Sequence, residues 1–177
     1  EVSDIAGAVV SHTDATMLSG ETASGIYPVE SVQAMAATIH EIENSTMDDM
    51  VPTIDVADNA QEAMTNMATV LARTTNARAI VVATRSGASA RFVSRYRPQL
   101  PIYAVTPSER VIRQLSLSWG IESFHVSHDD DYRGLVDKSI EAIVEKKLVA
   151  KGDMVIVVAG DPSMDSGSIN MIELRTV

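Results

Sequence analysis

The chain has 177 residues, 45% of them hydrophobic and 21% charged, with no cysteine and a formal net charge of −10. That composition suits a folded globular chain with one good core, or one and a half small ones. It excludes disulfides and thiolate metal sites, and no apolar run reaches the ~18 residues of a membrane span.

Charge is divided unevenly along the chain. Residues 1–72 hold twelve carboxylates and neither Lys nor Arg, a balance of −12. Residues 73–177 hold the other twelve acids and all fourteen basic residues, a balance of +2. The asymmetry predicts two pieces of different origin. No stretch forms a sustained basic stripe, which argues against nucleic acid as a partner. With no signal peptide and no span, a cytoplasmic location is the expectation.

Glu1-Val2-Ser3-Asp4 lacks an initiator methionine and runs straight into a helical pattern, so a piece of a longer polypeptide is expected. Val2, Ile5, Ala6 and Val9 fall at helical spacing over residues 1–12. Asp14–Leu18 is a short apolar run before Ser19-Gly20 and predicts a buried strand. Pro28 suits the first turn of the next helix and Glu30 its positive end, with Val29, Val32, Met35, Ala36 and Ile39 as the apolar face. Residues 1–43 thus read helix–strand–helix, a slice of a repeating α/β fold. Residues 44–57 have no period and contain Pro52, which marks a linker and the domain boundary.

Residues 58–177 alternate regularly. Asp58 is the predicted cap of a helix from Asn59 to about Thr75, with Glu62 in its first turn. Strands are predicted at Ala79–Ala83, Ile102–Val105, Ile121–Val126, Met154–Ala159 and Asn170–Arg175. Helices are predicted at Ser89–Tyr96, Glu109–Leu117 and Tyr132–Leu148. Strands separated by helices form a mostly parallel sheet. Only a loop, Gly160–Ser168, separates the last two strands, so the final one must be an antiparallel edge. The expected fold is a three-layer α/β domain preceded by that α/β/α slice.

Three segments could carry chemistry. Met17–Ala23 follows a predicted strand, where barrel enzymes place functional groups; Ser19 and Thr22 offer hydroxyls and Glu21 a carboxylate, although a capped turn explains the same residues. Thr84-Arg85-Ser86-Gly87-Ala88-Ser89 follows a strand and opens a helix, so hydroxyls, free N–H groups and an arginine converge on an anion site; the plainer reading is a well-capped helix with a solvated arginine face. The loop containing Gly160, Ser166, Gly167 and Ser168 also lies beyond a strand end and permits close backbone approach, but it carries Asp161 and Asp165 and is equally read as a connector. His125, His128 and Asp129–Asp131 read as a solvated loop rather than a metal site. Trp119 reads as a packing residue.

Several of these segments resemble the pyruvate kinase family. Met17–Ala23 with Gly25-Ile26-Tyr27-Pro28-Val29-Glu30 is similar to its M-L-S-G-E-T-A-x-G-x-Y-P-x-E signature, and Glu1–Ala6 to its E-V-x-D-[IV]-A helix. Thr84–Ala90, Ser94-Arg95-Tyr96-Arg97-Pro98, Arg113-Gln114-Leu115 with Trp119-Gly120, and Lys151-Gly152-Asp153 follow in order.

The resemblance implies that residues 1–43 end a (β/α)₈ barrel, 44–57 link, and 58–177 form the C-terminal domain, which in this family joins tetramer contacts and often holds a sugar-phosphate effector. It implies phosphoryl transfer from phosphoenolpyruvate to ADP with Mg²⁺ or Mn²⁺ and K⁺ in the intact enzyme. Ser19, Glu21 and Thr22 match a substrate-pocket motif, and Thr84, Arg85, Ser86, Gly87 and Ser89 match an effector phosphate loop. The family's catalytic lysine, phosphate-binding arginine and metal ligands have no counterpart here. The chain alone is therefore expected to be inactive and to hold no metal. Asp161, Asp165 and Ile169 depart from the pattern of bisphosphate-binding members, which favours a sugar monophosphate, a nucleotide or no effector. The competing readings are a stand-alone module that senses a phosphometabolite and a domain that only oligomerises.

Overall fold

The β-branched run at residues 79–83 becomes strand β1 (Ala79–Ala83), with all five residues buried. The same chemistry makes β2 (Ile102–Thr106), β3 (Ile121–His125) and β4 (Met154–Ala159), since branched side chains pack well on a pleated surface. With β5 (Met171–Thr176) they form one sheet in the order β3-β2-β1-β4-β5. The first four strands run parallel, and β5 pairs antiparallel with β4 as the short loop requires. The computed structural model describes residues 1–48, 57–127, 132–160 and 169–177.

Alternation along the strands divides the core into two layers. Ile80, Val82, Ile102, Ala104, Ile156 and Val158 meet helices α4 (Ala60–Thr74), α5 (Ala88–Arg95) and α6 (Glu109–Leu115). Val81, Tyr103, Val105, Val155 and Val157 meet helix α7 (Tyr132–Glu145) on the opposite face. Handedness explains this split. The chain steps from β1 to β2 to β3 in one direction, then returns past β1 to reach β4. Right-handed crossovers in opposite directions put their helices on opposite faces. Each fully buried Val or Ile contributes roughly 1.5–3 kcal/mol of transfer free energy.

Helix α4 starts one residue later than Asp58 predicts. Asn59 is the cap, its side chain accepting from the Glu62 N–H at 2.9 Å, while the Glu62 carboxylate reaches back to the Asp58 N–H at 3.2 Å. The box that Glu62 closes therefore spans two flanking residues, and the Asp58 side chain is not the capping group. Helices α5, α6 and α7 end one to three residues earlier than periodicity suggests.

Contacts divide the chain into two compact units, Glu1–Pro52 and Thr53–Val177. The first contains α1 (Val2–Val10), a single helical turn α2 (Gly20–Ala23), α3 (Pro28–Glu43) and a 3₁₀ turn at Thr46–Asp48. Pro28 opens α3 and Asn44 ends it, donating from its side chain to the His40 carbonyl at 2.7 Å.

The buried strand expected at Asp14–Leu18 is not formed, and Met17 is 83% exposed. Extended backbone becomes a strand only where another strand supplies hydrogen bonds, and the described elements of this unit are all helical. The segment is held instead by the Thr16 hydroxyl, which donates to the Met35 sulfur at 3.1 Å. The apolar face of α3 is present in the sequence but not covered: no residue of α3 is buried, and Val29 and Val32 are exposed. Among the described residues no helix is long and apolar enough to cross a membrane.

Candidate functional site

In the first unit the predicted pocket motif is a hydrogen-bonded turn. The Glu21 carboxylate accepts from the Ser19 N–H at 2.9 Å, and the Thr22 hydroxyl donates to the Ser19 carbonyl at 3.4 Å. Gly25 closes the turn through its N–H to the Gly20 carbonyl at 2.8 Å. Any side chain at Gly25 would collide with the Glu21 carbonyl oxygen, which accounts for the glycine. The backbone N–H groups of Glu21 itself and of Ser19 hold the Glu21 carboxyl below the usual range, outweighing a small upward push from burial. Ser19 and Thr22 are exposed.

In the second unit the Thr84–Ser89 loop leaves the C-terminal end of β1. Register places Val82 beside Val158 and therefore Thr84 beside Gly160, where the chain leaves β4. The sheet order reverses between these two strands, since β1 leads to β2 on one side and β4 is reached from β3 on the other. Open α/β sheets bind ligands outside strand ends at such a switch point.

Local geometry presents the loop to that crevice. Thr84 is buried, its N–H donates to the Val105 carbonyl at 3.0 Å, and its hydroxyl accepts from the Gly87 N–H at 3.0 Å. Gly87 caps α5 with φ +78°, a left-handed conformation that glycine adopts without strain. A Cβ there would stand 3.0 Å from Val111 Cγ1 and 3.1 Å from Leu115 Cδ2, so close helix packing also requires glycine. The Ser86 hydroxyl accepts from the Ala88 N–H at 3.4 Å. Ser89 is 4% exposed, whereas Arg85 is exposed and makes no ion pair among the described residues.

The four arginines of this region serve different ends. Arg95 binds Glu62 at 2.8 Å, bridging α5 to α4, and the Tyr96 hydroxyl donates to the Glu62 carbonyl at 3.2 Å. Arg97 lies over the Trp119 ring at 5.1 Å, which gives Trp119 the packing role expected of it. Arg85 and Arg91 remain at the loop.

Gly160 is described at the end of β4, but Ser166, Gly167 and Ser168, with Asp161 and Asp165, lie outside the described residues, as do His128 and Asp129–Asp131. Ile169 is buried in the core layer with Ile80 and Val158, so its apolar side chain serves packing. Sequence reasoning did not anticipate that role, because only the strand order brings residue 169 to residue 80. Among the described residues no three His, Cys, Asp or Glu side chains cluster as a metal site requires.

Comparison with known proteins bears on both units. A family model described as "Pyruvate kinase, alpha/beta domain" matches residues 62–174, and one described as "Pyruvate kinase, barrel domain" matches residues 1–32. The chain is 40% identical over 184 residues to a pyruvate kinase of Clostridium acetobutylicum, covering 100% of this chain and 38% of that protein. It is 38% identical to one of Agrobacterium vitis, covering 98% of this chain and 37% of the relative. Against one of Staphylococcus aureus the figures are 36%, 100% and 31%. The chain thus spans well under half the length of these relatives.

Proposed function

Since the chain belongs to the pyruvate kinase family, we propose that it supplies the end of the catalytic barrel and the regulatory α/β domain of an enzyme that transfers a phosphoryl group from phosphoenolpyruvate to ADP. Residues 1–43 are the barrel end, 44–57 the linker and 58–177 the regulatory domain. The intact enzyme is a cytoplasmic homo-oligomer, a tetramer, dependent on Mg²⁺ or Mn²⁺ and K⁺. A sensing module without chemistry has no use for the segment at residues 1–32, and this favours the enzyme reading.

Within the regulatory domain, Thr84, Arg85, Ser86, Gly87 and Ser89 bind the phosphate of an effector. The supporting observation is that this loop opens a helix at the switch point between β1 and β4. Helix N–H groups and the positive helix end favour an anion there. Asp161 and Asp165 in the neighbouring loop disfavour a second phosphate, so the ligand is a sugar monophosphate or a nucleotide. Gly160, Ser166, Gly167 and Ser168 are the further residues assigned to effector binding, on their glycine and serine content. In the barrel end, Ser19, Glu21 and Thr22 line the substrate pocket without performing the transfer.

The chain alone does not catalyse that transfer. Stabilising the phosphoryl group in flight needs cations, and residues 1–72 contain no Lys or Arg. A coupled assay of the pure chain with phosphoenolpyruvate, ADP, Mg²⁺ and K⁺ should show no turnover, and measurable turnover refutes this part. Calorimetry with glucose 6-phosphate, AMP and fructose 1,6-bisphosphate should show a monophosphate bound more tightly; tight bisphosphate binding reverses the assignment.

A further inference from the structure

We propose that the open edge of β3 is a self-complementary interface, at which two copies of this chain pair antiparallel about Ser123 and join their sheets into one. The occupant is a second copy, and the pairing is independent of any effector.

The backbone of β3 sets the register. In a parallel pair, alternate residues of a strand turn their N–H and C=O groups toward a given neighbour. The Gly120 carbonyl accepts from the Ile102 N–H at 3.1 Å, and the Val126 N–H donates to the Thr106 carbonyl at 3.1 Å, so residues 120, 122, 124 and 126 face β2. Ile121, Ser123 and His125 therefore turn their backbone groups outward, and β3 is the last strand of the sheet on that side. Among the described residues no backbone group bonds to this row. Such a row is a template for another strand.

Side chains choose the occupant. The Ser123 hydroxyl oxygen is buried yet has no hydrogen-bond partner among the described residues, and buried hydroxyls are normally paired. A two-fold axis centred on Ser123 sets the two copies of this residue opposite each other. They exchange backbone bonds, and a turn about Cα–Cβ lets one hydroxyl donate to the other. The same register sets Glu122 of one copy opposite Phe124 of the other. Lys146 stands over the Phe124 ring at 4.7 Å. An exposed carboxylate on each copy thus meets an exposed ammonium on the other, twice per pair. Glu122 and Phe124 share the α7 face by alternation, as residues opposite one another across an antiparallel pair must. The edge supplies about six backbone hydrogen bonds. Five residues bury less than the ~1,200 Å² of a stable complex, so the chain by itself pairs weakly, with a Kd on the order of 100 μM.

Cross-linking tests the register. The chain has no cysteine, so Ser123→Cys introduces one thiol per copy. Opposite residues that exchange backbone bonds stand about 5.5 Å apart at Cα, within disulfide reach. Ser123→Cys at about 100 μM with oxidised glutathione should run largely as a covalent dimer on a non-reducing gel. Glu122→Cys, whose thiols this register holds two positions out of step and about 8 Å apart at Cα, should not. Sedimentation equilibrium supplies a second readout. Glu122→Lys and Lys146→Glu should each weaken association by about tenfold, and the double variant should recover most of the loss. The inference fails if Ser123→Cys does not link, if Glu122→Cys links as readily, or if the double variant associates no better than the single ones. A wild-type chain that stays monomeric up to about 1 mM also overturns it.

Discussion

The hydroxyl of Thr84, at the end of β1, accepts a hydrogen bond of 3.0 Å from the backbone N–H of Gly87 inside the fold. The bond satisfies the helix cap and sets the turn that presents Ser86 and Ser89. Thr84→Val keeps the shape and removes the acceptor, leaving a buried N–H unpaired at a cost of about 1–3 kcal/mol. Urea unfolding should register that loss, and Thr84→Ser should restore most of it.

Gly87→Ala meets two separate obstacles. The left-handed φ of +78° is unfavourable for alanine, and its methyl would press on Val111 and Leu115 of α6. Strain and crowding together should cost about 1–3 kcal/mol. An equivalent change at Gly7, where no atom lies within 4 Å of a built Cβ and φ is ordinary, should be neutral or stabilising by up to about 1 kcal/mol in thermal unfolding.

The two units differ in how much apolar surface they bury, and substitutions should expose the difference. Ile156 is fully buried in the central sheet, so Ile156→Ala should cost about 2–5 kcal/mol in denaturant unfolding. Val32 on α3 is 52% exposed, and Val32→Ala should change stability by no more than about 0.5 kcal/mol.

Glu62 joins α4 to α5 through an ion pair in which Arg95 is largely exposed, so solvent screens the attraction. A double-mutant cycle with Glu62→Gln and Arg95→Gln should give a coupling of about 0.2–1 kcal/mol, falling as salt rises. A coupling several times larger contradicts this assignment.

Two titrations carry opposite signs. The Glu21 carboxyl is lowered by its own backbone N–H and that of Ser19, so its contribution is present above the unfolded-state value and is lost as pH falls through the folded one. NMR should show Glu21 titrating below the usual glutamate range, with the Ser19 amide shift following the same curve. Tyr103 is raised, chiefly by burial and then by the charge of Glu122, with Arg78 opposing. Its neutral form is favoured in the fold, so its contribution holds below the unfolded-state value and is lost as pH climbs through the folded one. Absorbance titration should find Tyr103 ionising above the usual tyrosine range.

Much of the second unit was legible in residue order. Runs such as Ala79–Ala83 and Met154–Ala159 are strands at the predicted bounds, because their branched side chains suit a pleated, buried surface. The antiparallel β5 followed from loop length alone. Asp14–Leu18 looked equally apolar, yet no strand forms there. A strand depends on a partner, and local pattern does not report whether one is at hand.

By itself the sequence determined the α/β alternation of residues 58–177 and the family, since both rest on residues close together in the chain. Only the tertiary structure decided that Thr84 leaves the sheet beside Gly160 at a point of reversed strand order, that Ile169 is core, and that Arg91 rather than Arg95 or Arg97 attends the loop. Those relationships depend on crossover handedness and side-chain direction, which bring together groups far apart in sequence.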